Sequence, residues 1–235
     1  MLRYVENEHG FSVVSCHQLK EYFASLLLAS TRRVFDSNFR SISHLSDFLS
    51  GESNHARIEA KENRIFTKSE SVGIGKLVRS LFELDPQEYI TDEERLGYEN
   101  FYWRCVRAKQ SKDVGSLHAD SWFWVLGGYH LPAGYRRVKV WMPLFQDDGR
   151  PSLLVLPGSH RQKFEYSRTV GVDGKSRPVL LDQLPSHRIV NCPVSVGQCV
   201  VFHDDLIHGG AVTSVTRLSV EFTCAVRAPA LSKAL

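Results

Sequence analysis

The spacing of apolar residues changes near Tyr98, and this change limits the folds open to the chain more than any other feature. From His17 to Phe35, apolar side chains recur every three or four positions, which predicts a helix with one buried face. Further helices are predicted at 43–50, 54–64 and 72–83. The N-terminal part of the chain is therefore expected to be mainly helical.

After Tyr98, short apolar runs alternate with glycine, proline and aspartate. The runs that predict strands are 99–108, 138–145, 153–156, 188–192, 198–202 and 217–226. Short, closely spaced strands predict an antiparallel sandwich or barrel, not a parallel sheet. We therefore predict a single domain, 1–235, that is mainly β with N-terminal helices: a helical part over 1–95 and a β core over 96–228.

Composition excludes several classes of function. The formal net charge is only +3 at pH 7, from 29 basic and 26 acidic residues, which does not favour binding to nucleic acid. No apolar run is long enough to cross a membrane. The five cysteines are scattered, without a CxxC pair, which predicts free thiols in a reducing cytoplasm. A cytoplasmic enzyme with a small-molecule substrate fits these features; oligomeric state is not predicted.

Three residues form a candidate metal site. His118 and Asp120 lie two positions apart, and in an extended segment their side chains would point to the same side. His208 follows a predicted strand and precedes two glycines, which allow close backbone approach. Two histidines and one carboxylate leave open positions on a metal ion, as in non-haem iron(II) oxygenases.

A candidate carboxylate site follows nine residues after His208. Arg217 and Ser219 open a predicted strand and share one of its faces. A guanidinium group beside a hydroxyl group suits a carboxylate, because charge-assisted hydrogen bonds add both energy and geometry. A dicarboxylate that binds the metal at one end and Arg217 at the other would use both sites.

The order of these motifs resembles that of the phytanoyl-CoA dioxygenase-like family over roughly residues 98–226. The motifs that carry the resemblance are His118-Ala-Asp120, Trp141 in VKVWMPLF, Asp148-Gly149, Leu156-Pro-Gly-Ser-His160, FHDDLIHGGA and Arg217-Leu-Ser219.

The resemblance implies a double-stranded β-helix (jelly-roll, cupin-like) core and the use of Fe(II), 2-oxoglutarate and O2. It implies that His118, Asp120 and His208 are iron ligands, and that Arg217 binds the far carboxylate of 2-oxoglutarate. Trp141 corresponds to a family tryptophan beside the cosubstrate pocket. The implied activity is that of a dioxygenase.

An aromatic segment directly follows the metal motif. In an extended chain, Phe123 would fill the core, whereas Trp122 and Trp124 would face the pocket and contact substrate. We also predict substrate contacts from Tyr129 and Arg136, which lie in a long predicted loop.

Two long predicted loops, 127–137 and 161–186, are expected to set substrate specificity. His203 and Asp205 form a second His-x-Asp pair, but they lack the relation to Arg217 that favours His208. His160 is predicted to be a loop residue.

The predicted reaction is hydroxylation of an unactivated C–H bond of a small polar or anionic metabolite, with release of succinate and CO2. One alternative is a zinc hydrolase with the same ligands and Asp204 or Asp205 as general base, although Arg217 would then have no role. Another is a jelly-roll binding protein without catalytic activity.

Overall fold

The computed structural model describes residues 1–147, 153–170 and 176–228. Four helices precede the long strands, and one short helix lies within the β region. The helices are α1 (His17–Phe35), α2 (Ile42–Leu49), α3 (Glu52–Ala56), α4 (Lys68–Phe82) and α5 (Asp120–Gly127). At the start of α4, the Thr67 side chain accepts from the Glu70 amide while the Glu70 side chain accepts from the Thr67 amide, a reciprocal cap that fixes where the helix begins.

All strand pairs in the described residues are antiparallel, and they form three sheets. The strands are β1 (Phe11–Ser15), β2 (Tyr89–Ile90), β3 (Tyr102–Val106), β4 (Tyr135–Phe145), β5 (Leu153–Val155), β6 (Tyr166–Val170), β7 (Ser176–Leu180), β8 (Val190–Asn191), β9 (Gln198–His203), β10 (His208–Gly210) and β11 (Arg217–Arg227). The main sheet has six strands in the order β1-β9-β4-β11-β2, with β3 also paired to β11. A second sheet has the order β10-β5-β8, and β6 pairs with β7. The mainly β fold class with N-terminal helices is confirmed.

The helices cover one face of the main sheet. Val220 and Phe222 of β11 are buried in the core that the helices share with this face. The Phe222 ring lies 6.5 Å from the Phe23 ring of α1. Neighbouring β11 residues, Arg217 and Ser219 among them, point to the opposite face because side chains alternate along a strand. One face of the sheet therefore holds the core, and the other is left for polar groups.

We call this opposite face the inner face; it is defined by Arg217, Ser219 and Glu221 of β11 with Lys139 and Trp141 of β4. The strand register places these residues together. Glu221 of β11 lies directly opposite Trp141, and the residue two positions after Glu221 lies opposite Lys139. Directly opposite residues of an antiparallel pair point to the same side. Trp141 packs there in an apolar cluster with residues of β5 and β9, so the second sheet covers part of the inner face.

The helical part differs from expectation in two ways. The helix predicted at 54–64 ends at Ala56, because the chain turns there and buries Ile58 in the core. The first 95 residues also contribute two strands to the main sheet that were not predicted. Phe11–Ser15 pairs with β9, and Tyr89–Ile90 pairs with β11.

The β region differs from expectation mainly in its connections. The predicted loop 161–186 contains the β6–β7 hairpin, and the predicted loop 127–137 is shorter because β4 begins at Tyr135. The strand predicted at 188–192 is reduced to two residues, β8. The motif Asp148-Gly149 lies outside the described residues.

Two further expectations concern the whole chain. All five cysteines are buried and free. Within the part of the chain that the structure describes, no helix has the length and apolarity to cross a bilayer.

Candidate metal centre

His118 and His208 meet because their backbones are hydrogen bonded to each other. The amide of each residue donates to the carbonyl of the other at 2.9 Å. His208 begins β10, and His118 lies beside it in an isolated bridge. Gly209 allows this approach, because a Cβ atom there would lie 3.3 Å from the Ser116 carbonyl oxygen. The two imidazole rings consequently lie 4.5 Å apart, centroid to centroid.

Asp120 reaches the histidines by a route that the sequence did not predict. The extended backbone ends at Ala119 (φ −106°, ψ 140°), and Asp120 is the first residue of α5. Its Oδ1 atom lies 3.5 Å from His118 Nε2 and 3.8 Å from His208 Nε2. One potential ligand atom from each of the three residues lies within 4.8 Å of the others. The structure therefore brings the three side chains together.

Both imidazoles have the tautomer that a metal requires. His118 Nδ1 lies 2.6 Å from the Ser116 carbonyl oxygen, and His208 Nδ1 lies 2.9 Å from the Leu206 carbonyl oxygen. A carbonyl can only accept, so each Nδ1 carries the hydrogen and each Nε2 presents a lone pair. Asp120 Oδ2 is buried and accepts no hydrogen bond from the described residues. This donor set fits an Fe(II) ion.

At neutral pH, Asp120 and His208 have the protonation states that metal binding requires. Burial alone would raise the pKa of Asp120, but the Lys139 ammonium group and His208 lower that pKa well below its usual range. Burial lowers the pKa of His208 to about 4. Asp120 is therefore ionised and His208 is neutral near pH 7, so neither must lose a proton before it binds a cation.

The residues predicted to bind cosubstrate lie together on the inner face. Arg217 and Ser219 are buried at the start of β11, and the Arg217 guanidinium carbon lies 5.7 Å from the centroid of a Trp141 ring. Burial, followed by the nearby Arg104 charge, lowers the pKa of Arg217 to about 10, so the guanidinium remains charged near pH 7. Gly210 lies against it: a Cβ atom there would be 3.3 Å from Arg217 Nη2.

Three charged residues link the metal ligands to the inner face. Lys139 is buried, with its Nζ atom 3.8 Å from Asp120 Oδ2. Burial alone would lower the pKa of Lys139, but Glu221 and Asp120 raise it above its usual value. Glu221 accepts a hydrogen bond from Arg104 Nε at 2.8 Å. The sequence contained a signal for Lys139, which shares a strand face with Trp141 by the i, i+2 rule.

The aromatic residues after Asp120 are arranged differently from expectation because they form a helix. Trp122 and Trp124 are both buried, whereas Phe123 is 37% exposed. The expectation that Phe123 fills the core is therefore wrong. Its ring instead lies edge-on to the His118 ring at 5.1 Å. Trp122 stacks on Tyr166 of β6 at 4.6 Å, which holds the β6–β7 hairpin against α5.

The remaining predicted substrate residues have partners within the protein. The Trp124 ring lies 4.2 Å from the guanidinium carbon of Arg137, and the Tyr129 ring lies 4.8 Å from that of Arg95. Arg136 is 3.7 Å from the Glu6 carboxylate. Contact of these side chains with substrate stays a prediction.

A second group of potential ligands lies at the end of β9: His203, Asp204 and Asp205. His203 Nδ1 accepts a hydrogen bond from the Asp205 amide at 3.0 Å, so its lone pair is already used. Burial raises the pKa of Asp204, which disfavours the charged form that binds a cation. The Asp205 side chain is half exposed. This group is therefore a weaker candidate than the first one.

Comparison with solved structures shows the same fold at low sequence identity. The apo form of ThoJ, a non-haem monooxygenase, matches with a TM-score of 0.52 and 14% identity over 93% of this chain and 75% of that chain. The apo form of EctD from S. alaskensis matches with a TM-score of 0.52 and 14% identity, over 94% of this chain and 75% of that chain. EvdO2 from Micromonospora carbonacea var. aurantiaca matches with a TM-score of 0.52 and 15% identity, over 98% of this chain and 93% of that chain. The double-stranded β-helix core is thereby confirmed.

Sequence comparison identifies the family. No curated protein was found to match the chain by sequence. The model of the family described as phytanoyl-CoA dioxygenase (PhyH) matches residues 8–217, which is most of the chain. The chain therefore belongs to the phytanoyl-CoA dioxygenase family, whose members are oxygenases that use Fe(II), 2-oxoglutarate and O2.

Proposed function

We propose that this protein hydroxylates an unactivated C–H bond of a small polar or anionic metabolite, with release of succinate and CO2. His118, Asp120 and His208 are the proposed iron ligands. The observation that carries the proposal is their convergence: three ligand atoms lie within 4.8 Å, and both Nδ1 atoms are hydrogen bonded to backbone carbonyls, which leaves both Nε2 lone pairs available. Family membership supports the reaction class.

The inner face supports binding of the cosubstrate beside this metal centre. Arg217 supplies a buried guanidinium fork for the far carboxylate of 2-oxoglutarate, and Ser219 supplies a hydroxyl on the same strand face. Trp141 of β4, which pairs with Glu221, has its ring 5.7 Å from the Arg217 guanidinium carbon and closes one side of the pocket. The Lys139 ammonium group lies 3.8 Å from Asp120 Oδ2 and favours the ionised carboxylate that a metal ion would bind.

Bound iron and 2-oxoglutarate would supply the oxidising power, and the protein would supply orientation and a dry environment. Asp120, His208 and Arg217 are each less than 10% exposed, so little water reaches their polar atoms. The hydrogen bonds to Nδ1 fix the orientation of both imidazoles. The half-exposed Phe123 ring covers one side of His118 and would face an incoming substrate.

The two alternatives from the sequence have less support. A zinc hydrolase needs a general base beside the metal, and Asp204 and Asp205 belong to the separate group at the end of β9. It would also leave Arg217 and Ser219 without a role. A binding protein without activity would not need both imidazoles in the metal-binding tautomer. Membership of an oxygenase family argues against both alternatives.

Substitution of one proposed ligand tests the function. His118→Ala should weaken Fe(II) binding, measured by calorimetry under anaerobic conditions, at least tenfold and abolish formation of succinate from 2-oxoglutarate. The matched control is His187→Ala, which removes an exposed histidine outside the site. Unchanged Fe(II) affinity in His118→Ala would contradict the ligand assignment.

The cosubstrate site is tested separately. Arg217→Ala should raise the 2-oxoglutarate KM at least tenfold and leave Fe(II) affinity within about twofold, because the fork binds only the cosubstrate. Arg33→Ala, a surface arginine paired with Glu70, should change neither quantity. A 2-oxoglutarate KM that is the same in Arg217→Ala and wild type would show that the carboxylate binds elsewhere.

A further inference from the structure

A small cavity lies beside the proposed cosubstrate site. It has a volume of about 40 Å³ and is lined by Arg64, Tyr102, Trp103, Arg104 and Glu221. One water molecule needs roughly 10–15 Å³ of such space, so the cavity can hold a carboxylate or phosphate group but not a whole metabolite. It is suited to one end of a larger molecule.

The cavity belongs to the inner face. Arg104 of β3 lies directly opposite Ser219 of β11, and Tyr102 lies directly opposite Glu221. Directly opposite residues share a side of the sheet, so Arg104 and Tyr102 point to the same side as Arg217. Arg104 is half exposed, which places the cavity where the inner face meets solvent. A molecule bound there can extend along this face toward the metal ligands.

Arg64 reaches the cavity from the helical part of the chain. The next residue, Ile65, forms a bridge with Tyr102, and the Phe66 amide donates to the Phe101 carbonyl at 3.1 Å. These contacts attach the segment that carries Arg64 to the edge of β3. Backbone pairing therefore places Arg64 beside β3.

The partly buried guanidinium group of Arg64 has an incomplete set of hydrogen-bond acceptors among the described residues. Its Nη2 atom donates to the Glu59 carbonyl at 3.1 Å, and its Nε atom is buried without an acceptor among the described residues. Burial, followed by the Arg104 charge, lowers the pKa of Arg64, although Glu221, Glu59 and Glu62 act in the opposite direction. The one carboxylate that lines the cavity, Glu221, already accepts from Arg104 at 2.8 Å and also attracts Lys139. A second anion in the cavity would satisfy Arg64 and reduce the repulsion between the two arginines.

We propose that Arg64 and Arg104 bind an oxyanion group, a carboxylate or a phosphate, of the primary substrate. This step rests on the proposed function, in which 2-oxoglutarate uses one carboxylate at the metal and the other at Arg217. The cosubstrate then has no carboxylate left for the cavity, so the group that fills it belongs to the molecule that is oxidised. The primary substrate is accordingly anionic.

The test uses the full-length protein loaded with Mn(II) and 2-oxoglutarate, titrated by calorimetry with inorganic phosphate and, separately, with acetate. The wild type should bind at least one of these anions at millimolar concentration. Arg64→Gln should weaken that binding at least tenfold, which corresponds to about 1.4 kcal/mol. Arg64→Lys should fall between the two, because it keeps the charge and loses the fork. Tighter phosphate binding indicates a phosphate ester as substrate, and tighter acetate binding indicates a carboxylate.

The matched control is Arg33→Gln, an arginine paired with Glu70 away from the cavity. It should leave anion binding unchanged. Equal anion affinity in Arg64→Gln and Arg33→Gln, or no binding by the wild type, would overturn the proposal. So would a loss of 2-oxoglutarate affinity in Arg64→Gln as large as the loss of phosphate affinity, because the cavity would then serve the cosubstrate. Failure of the proposed function is distinct: the wild type would not bind Mn(II) and 2-oxoglutarate at all.

A second measurement checks the argument about Arg64 itself. Removal of an under-compensated buried charge should leave the Tm of the ligand-free protein unchanged or raise it. A clearly lower Tm for Arg64→Gln would show that the guanidinium stabilises the fold, and would overturn the inference that it awaits a ligand.

Discussion

Replacement of Lys139 by methionine, which is similar in length but uncharged, should destabilise the metal-free protein far more than the metal-bound protein. Lys139 Nζ lies 3.8 Å from Asp120 Oδ2, and both side chains are buried. In the metal-free protein, Lys139→Met leaves the Asp120 carboxylate buried without its nearest cation. A bound divalent ion would neutralise the same carboxylate.

The size of the effect follows from this geometry. Two unit charges 3.8 Å apart attract each other by about 4 kcal/mol at an effective dielectric constant of about 20. Burial of the ammonium group opposes part of this gain, and broken buried pairs cost about 3–5 kcal/mol in general. We therefore expect Lys139→Met to lower the free energy of unfolding of the metal-free protein by about 3 kcal/mol. With metal, the loss should be smaller by at least about 1.4 kcal/mol, a factor of ten in the unfolding equilibrium.

The assay is urea unfolding followed by circular dichroism, with EDTA in one series and saturating Mn(II) in the other. The control is Lys112→Met, which removes a lysine paired with Glu52 on the surface and should cost less than about 1 kcal/mol in both series. An equal loss for Lys139→Met with and without Mn(II) would refute the reasoning, because Lys139 would then stabilise the fold independently of Asp120.

Two other predictions concern stability. Arg104 and Lys139 lower the pKa of Glu221 to about 2, although burial alone would raise it. The depressed pKa of Glu221 stabilises the folded protein at pH values above the usual pKa, near 4.5, and this stabilisation is lost as the pH falls toward 2. Glu221→Gln should therefore lower the free energy of unfolding by about 3 kcal/mol at pH 7 and by little near pH 2, as measured by urea unfolding across pH. A pH-independent cost would contradict this. Phe23→Ala should lower the free energy of unfolding by about 3–5 kcal/mol, because Phe23 is fully buried and contacts the Phe66, Phe101 and Phe222 rings. A decrease below about 1 kcal/mol would show that the core repacks.

The sequence predicted the parts of the fold that rest on periodicity. The helix over 17–35 has a strong apolar repeat and is found with those bounds, and β4 and β11 lie where long apolar runs predicted them. The elements that were missed are short strands such as β1 and β10, which exist because a partner strand completes their hydrogen bonds. No local pattern encodes such a partner.

The candidate site, like the fold, was predicted only in part from the sequence. The spacing of His118 and Asp120 and the motif around His208 were visible in the sequence, but the turn into α5 at Asp120 was not, and it reversed the expectation for Phe123. Arg64 could not be predicted, because its approach to Arg104 depends on the bridge between the next residue and β3. Residues that meet only through strand pairing in the folded protein leave no pattern in a single sequence.

The backbone pair between positions 118 and 208 has a consequence for when the metal centre forms. It closes a loop of about 90 residues, which costs on the order of 4 kcal/mol of chain entropy by the logarithmic dependence on loop length. Contacts of such long sequence separation form late unless they belong to the folding nucleus. A divalent ion then finds no complete ligand set until the two sheets have closed, so it slows the opening of the finished protein and does not accelerate its formation.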